Sequence, residues 1–211
     1  MTDIARPRFA RGYPAAAARA DARGGAEHRR RLLQGLNGRV VELGAGSGLN
    51  FAHYPDTVTE VVAIEPEPTL RARASEAARD ARVAIDVRAG TADALPLGDG
   101  EMDAAVASLV LCSVPDQARA LAELRRVIRP GGELRFYEHV IATTQPKRAI
   151  LQLADRSGIW PALGGGCHPA RDTGAAITAA GFTIERQERF DFRAEPLEPR
   201  IPYILGIARR A

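Results

Sequence analysis

The residues whose types and spacing could do chemistry begin with Glu42, Gly44, Gly46, Gly48 and Glu65. Val40-Val41-Glu42-Leu43 is a short apolar run carrying one acid, and it breaks at once into three glycines at alternate positions. A buried strand that opens into a glycine loop and then a helix is a nucleotide-binding turn. A Cβ there would block either the sharp turn or the close approach of a ligand to the backbone. A dinucleotide turn, G-x-G-x-x-G, would need glycine at 49, where Leu49 stands; the loop is instead G-x-G-x-G with an acid two residues upstream. Glu65 follows the loop at about the twenty-residue spacing of a ribose-binding acid. It sits at the end of a second apolar run, T-E-V-V-A-I, where a carboxylate can accept both ribose hydroxyls. Taken alone, the three glycines also read as an ordinary tight turn.

The elements that must position these residues alternate. Strands are expected over residues 39–43, 60–64, 82–88, 102–108 and 133–138. Helices are expected from near Leu49, from Pro66–Pro68 to about Asp80, and over Asp116 to Ile128. The last has apolar residues at 118, 121, 124, 127 and 128, a helical stripe. The paired prolines stop the second strand and pre-set the following helix, and Arg129-Pro130-Gly131-Gly132 stops the 116–128 helix. An insert with Trp160 and a glycine run precedes a helix over about 172–180 ending at Gly181. Two closing strands, 182–190 and 201–209, flank a proline-rich connection and have no helix between them, so they should pair as an antiparallel hairpin. Alternation from 39 to 140 implies βαβ units and a parallel sheet covered on both faces. The fold expected is α/β: a Rossmann-like seven-stranded, mostly parallel sheet with a C-terminal antiparallel hairpin and helices on both faces. Residues 1–38 are expected to form two short helices joined at Gly24-Gly25, a cap or arm over a domain spanning 39–211.

Length and composition suit one α/β domain with a short extension. The formal charge is +3 in 211 residues. The basic residues are nearly all arginine, Lys147 being the single lysine, and acids are interleaved with them, so nucleic-acid binding is not expected. The denser cluster Arg29-Arg30-Arg31 reads as a solvated side of a helix. No apolar run approaches the roughly 18 residues of a membrane span, and no signal-peptide core opens the chain. The expectation is a cytoplasmic protein without a transmembrane anchor. Cys112 and Cys167 lie far apart in sequence, and no Cys/His spacing suggests a zinc site, so no metal is expected.

The G-x-G-x-G loop with its upstream acid resembles the first motif of the class I S-adenosylmethionine-dependent methyltransferases. The resemblance implies S-adenosyl-L-methionine as cofactor and S-adenosyl-L-homocysteine as product, with the acid under the methionine end. Ligands of such sheets bind beyond the carboxyl ends of the strands. The cofactor-binding candidates are therefore Glu42, Gly44, Ala45, Gly46, Gly48 and Asn50 after the first strand, and Glu65 and Pro66 after the second. Thr91 and Ala92 follow the third and Ser108 and Leu109 the fourth. Ala89 to Leu97 is similar to a G-D-A-x-x-L-P segment in which an Asp meets the adenine amino group. Thr91 occupies that Asp position and Asp93 lies two residues on, so either the Thr91 hydroxyl or the backbone of Thr91 and Ala92 would carry the base. The strand-four end lacks the Asn/Asp-Pro-Pro-aromatic clamp of enzymes that methylate amino nitrogens.

Further segments, L-N-F-A-H-Y-P (49–55), S-L-V-L-C-S-V (108–114), R-P-G-G-x-x-x-F-Y-E-H-V (129–140), G-C-H-x-x-R-D-T (166–173) and P-Y-I-L-G (202–206), resemble the methyltransferase-like seven group, whose mammalian members are alkyl-thiol S-methyltransferases. The resemblance implies a small-molecule acceptor, a lipophilic thiol or sulfide methylated at sulfur. Lipid or quinone methylation and a non-catalytic cofactor-binding module are the alternatives. A protonated thiol needs a base or cation to become a thiolate, and His139 and His168 are the catalytic candidates. Trp160, Phe9 and Tyr13 are candidate walls for an apolar pocket. Cys112 reads as a small buried hydrophobe, and Arg171 as a residue that orients either its loop or the cofactor carboxylate.

Overall fold

The computed structural model describes residues 4–195 and 199–211. Its centre is a seven-stranded sheet: β1 (Gly38–Leu43), β2 (Val58–Ile64), β3 (Ala84–Arg88), β4 (Met102–Ser108), β5 (Ile128–His139), β6 (Phe182–Phe192) and β7 (Ile201–Arg210). The order across it is β3-β2-β1-β4-β5-β7-β6. The first five strands pair in parallel, and β7 runs antiparallel between β5 and β6. The order reverses between β1 and β4, so the loops after these two strands face each other across the crevice where α/β sheets bind ligands.

Alternating strand residues feed two cores. Val41 and Leu43 of β1, with Ala105 and Ala107 of β4, join the core that also receives Leu121, Leu124 and Val127 from α4 (Gln117–Val127) and Ile177 from α7 (Thr173–Ala179). Val40 and Val61, with Ala104 and Val106, pack on the other face against Leu32 and Leu33 of α2 (Ala26–Leu33) and Ala74 of α3 (Pro68–Ala77). Three helices start on side-chain caps: Glu67, Asp116 and Asp172 accept the backbone N–H groups of Leu70, Arg119 and Ala175.

The N-terminal segment forms the two expected helices, α1 (Pro7–Ala20) and α2, joined at a kink over Asp21–Gly25 where Gly24 takes φ +122°. The insert after β5 carries two helices that the sequence reading left without structure, α5 (Lys147–Arg156) and α6 (Ile159–Leu163). Part of the proline-rich connection before β7, residues 196–198, lies outside the described residues.

Three expectations need correction. No helix starts near Leu49: the chain makes turns and a short 3₁₀ segment at Phe51–His53. Gly46 and Gly48 hold left-handed φ of 59° and 82°, and β2 begins at Val58, which leaves too little chain for a helix. Arg29 is not solvated but buried, because the kink turns the start of α2 toward the end of β1. The fifth strand begins at Ile128 rather than Glu133, entering the sheet through a register shift at the Pro-Gly-Gly turn.

Candidate functional site

Glu42 stands at the end of β1 with 2 % exposure. One of its oxygens accepts the Asn50 amide at 2.8 Å and the other the Tyr54 hydroxyl at 2.7 Å. Burial pushes its carboxyl up to about 7, against the opposing pull of those two donors and of Arg29. Asn50 in turn accepts Arg29 Nη1 at 3.0 Å, and the same guanidinium reaches Asp21 at 3.0 Å and Ser108 Oγ at 3.4 Å. A buried polar network thus ties the N-terminal kink to the ends of β1 and β4. The sequence reading missed Arg29 because an arginine triplet looks the same whether one member turns inward or not.

Glu65, at the tip of β2, is 5 % exposed. Its carboxylate accepts the backbone N–H groups of Gly46 at 2.8 Å and Glu67 at 2.9 Å. Burial raises its pKa, and these two bonds oppose the rise. A Cβ on Gly44 would lie 2.5 Å from Val110 Cγ2, and one on Gly46 3.0 Å from the Tyr13 ring. The glycine loop is therefore packed from one side by the loop after β4 and from the other by α1.

These groups wall a cavity of about 410 Å³. Of the candidates, it brings together Gly44, Gly46, Glu65, Pro66, Thr91, Ala92, Ser108 and Leu109. Glu42, Ala45, Gly48 and Asn50 lie outside its wall and shape the loop from behind. Glu65, Glu67, Asp93 and Asp116 line it against one guanidinium, that of Arg6, and Phe9, Tyr13, Leu70 and Val114 add apolar surface. An acid-rich wall with flat apolar surface suits a cation that carries a heteroaromatic base, which is the character of S-adenosylmethionine. The residues present fit that group.

A second cavity of about 520 Å³ adjoins the first. Tyr13 and Leu109 line both. Its wall is mainly apolar, built from Ala16, Ala17 and Ala20 of α1, Trp160 of α6, and Phe192 and Tyr203 of the closing hairpin; His139 and Cys167 sit in it. Leu109 is the one non-glycine described residue with left-handed φ, at 58°. Such backbone costs about 1–3 kcal/mol and persists where its surroundings over-determine it.

His139 Nδ1 lies 3.1 Å from Cys167 Sγ and 3.7 Å from Cys112 Sγ, a convergence that the linear sequence conceals. His168 stands in the wall of neither cavity; its Nδ1 pairs with Asp155 at 2.7 Å. Arg171 orients its loop, donating to the carbonyls of Leu111 at 2.9 Å and Val114 at 2.7 Å. Among the described residues no helix is long and apolar enough to cross a membrane.

The family profile described as a methyltransferase domain matches residues 41–136. The chain is 35 % identical over 183 residues to thiol S-methyltransferase TMT1B of Mus musculus, covering 83 % of this chain and 73 % of that protein. The Homo sapiens protein of the same name is 36 % identical over the same shares. Among solved structures, an S-adenosylmethionine-dependent methyltransferase from Mesorhizobium loti superposes with a TM-score of 0.65 at 24 % identity, over 90 % of this chain and 100 % of that one, a likeness of fold.

Proposed function

Because the chain belongs to the thiol S-methyltransferase group of the class I S-adenosylmethionine-dependent methyltransferases, we propose that the acceptor it methylates is a small lipophilic thiol. The protein is a methyltransferase that uses S-adenosylmethionine on a small molecule. The relatives' thiol S-methyltransferase identity carries the sulfur, and the apolar cavity that shares Tyr13 and Leu109 with the acid-rich one carries the lipophilic character of the acceptor. When bound, S-adenosylmethionine would supply a methyl group on a positively charged sulfur, open to the acceptor's lone pair, with a neutral thioether as the leaving group.

The chain's own residues supply position and exclusion of water. Glu65 holds the ribose hydroxyls, its own place fixed by the Gly46 and Glu67 amides. Gly44 and Gly46 let the loop approach the amino-acid end, and Thr91 and Ala92 meet the adenine. Glu42 and Asn50 set the loop from below. The N-terminal helices α1 and α2 act as a cap: Tyr13 covers the glycine loop while α1 also walls the acceptor cavity. The alanine, tryptophan and phenylalanine surface holds an alkyl chain, so the hydrophobic effect selects the acceptor. Its sulfur lies toward His139 and Cys167. Holding two reactants in line replaces a bimolecular encounter and accounts for most of the acceleration.

The test is release of S-adenosylhomocysteine by purified protein given a short alkyl thiol, with the alcohol of equal chain length and with sulfide in parallel. Release well above background with the thiol and not the alcohol is expected, with loss of cofactor affinity in Glu65→Ala. Cofactor binding without release on any thiol would sink the thiol acceptor and favour a lipid or quinone.

A further inference from the structure

We propose that Cys112, His139 and Cys167 form a zinc site whose open fourth position faces the acceptor cavity. The three residues come from separate segments, the loop after β4, the last residue of β5 and the loop before α7, at sequence separations of 27 and 28 residues. Their ligand atoms all lie within 4.8 Å of one another. Both thiols are free.

The distances match a tetrahedral ion. Zinc bonds of about 2.3 Å to sulfur and 2.0–2.1 Å to nitrogen, at tetrahedral angles, place a nitrogen about 3.5 Å from each sulfur. The observed separations of 3.1 and 3.7 Å straddle that value. The two sulfurs, which such an ion would hold about 3.8 Å apart, lie within 4.8 Å of each other, so closing the site calls for side-chain movement on the order of 1 Å or less.

The backbone around the trio is fixed by bonds from its own amides, and Cys112 Sγ has Ser113 Oγ 3.5 Å away. The buried carboxylate of Glu138 accepts the N–H groups of Val110 at 3.0 Å, Leu111 at 2.9 Å and Cys112 at 3.1 Å. The His168 amide donates to the Cys112 carbonyl at 2.8 Å, stitching the Cys167 loop to the Cys112 loop. The His139 ring stands edge-on to Tyr203 with centroids 4.4 Å apart. Such outer bonds hold metal ligands in orientation.

Ligand type decides the ion. Two thiolates and an imidazole select zinc over magnesium or calcium. Three protein ligands with one position open is the arrangement of catalytic zinc, whereas structural sites are closed by four. His139 and Cys167 line the acceptor cavity while Cys112 lies behind them, so the exposed side of the ion is the cavity side. Resting on the thiol reading above, the acceptor binds there through sulfur. On coordination its S–H bond breaks, the proton passes to solvent, and the thiolate keeps its lone pairs at neutral pH. Zinc is neither oxidised nor reduced.

The experiment uses untagged full-length protein purified without chelator. Elemental analysis is expected to find one zinc per chain, and replacement by cobalt(II) to give a thiolate-to-cobalt charge-transfer absorption. An alkyl thiol shifts that absorption, and the alcohol of equal length does not. Cys112→Ser and Cys167→Ser lose the metal; thermal melting shows whether each variant folds, and the wild-type cobalt spectrum stands whether or not they do. Protein that neither retains zinc nor gives the cobalt absorption overturns the site, and so does a Cys112–Cys167 disulfide forming in air with no metal taken up. Thiol turnover by metal-free protein would overturn the zinc while leaving the thiol acceptor standing. A zinc-loaded protein whose cobalt form ignores thiols would overturn the open position.

Discussion

Glu42→Gln removes a charge and almost no volume, and its effect on stability should depend on pH in one direction. Burial is the largest influence on this carboxyl and raises it from 4.5 to about 7 in the folded chain. Between those values the folded state holds a proton that the unfolded state has released, so stability falls as pH rises. The contribution is fully present below about 4.5 and is lost once pH passes about 7. At about 1.36 kcal/mol per pH unit the loss is on the order of 3 kcal/mol. The substituted amide can still accept from Asn50 through its oxygen and donate to Tyr54 if the phenol hydroxyl turns. The variant should therefore be less pH-dependent than wild type by that amount. Urea unfolding of both proteins at several pH values from about 5 to 8 measures it, and subtracting one curve from the other cancels the remaining titrating groups. A difference constant to within about 0.5 kcal/mol would refute the reasoning and mean that Glu42 folds as a carboxylate held by Arg29, Asn50 and Tyr54.

Arg29→Met strands the Asp21 carboxylate, whose partner sits at 7 % side-chain exposure; the expected cost is about 3–5 kcal/mol in denaturant unfolding. Adding Asp21→Leu should recover much of it, since the burial cost then disappears with the second charge. Trp160→Ala enlarges the apolar cavity, so preference among a series of alkyl thiols should move toward longer chains, read as kcat/KM against chain length. An unchanged order would remove Trp160 from the acceptor wall.

The sheet was legible because a strand buried on both faces is written mostly in Val, Ile, Leu and Ala, as Ala104–Ala107 and Val40, Val41 and Leu43 are. The nearness of Glu65 to the glycine loop was legible for a different reason: they follow the ends of two neighbouring parallel strands joined by one short connection, so their spacing survives in the sequence. The trio at Cys112, His139 and Cys167 had no such local trace, since its members meet only when β4 and β5 pair and the insert folds back. Arg29 was hidden by its neighbours, because burial of one residue in a basic run depends on the kink at Gly24. The α5 helix was missed because its apolar residues run together between charged ends and not as a stripe: Leu151 is buried, while Ile150 and Leu153 stay exposed at 62 % and 71 %.

The strained turn at Leu109 connects these parts. β4 ends at Ser108, and the chain must reverse at once to bring both Leu109 and Val110 to the crevice. A left-handed residue makes that reversal, which sets Leu109 and Val110 in the crevice wall and leaves Cys112 buried behind it, and glycine would make it at lower strain. Leucine supplies instead the side chain that stands between the two cavities. The cost is offset by hydrogen bonds formed only in this conformation: Leu109 donates to the Tyr137 carbonyl at 2.7 Å, and the next three amides donate to Glu138. Four consecutive N–H groups are thereby satisfied away from a strand ladder, each worth about 1 kcal/mol net. That sum exceeds the strain of one left-handed leucine. The boundary between the two cavities is consequently set by the fold, and Glu138, which lines neither cavity, is what holds it in place.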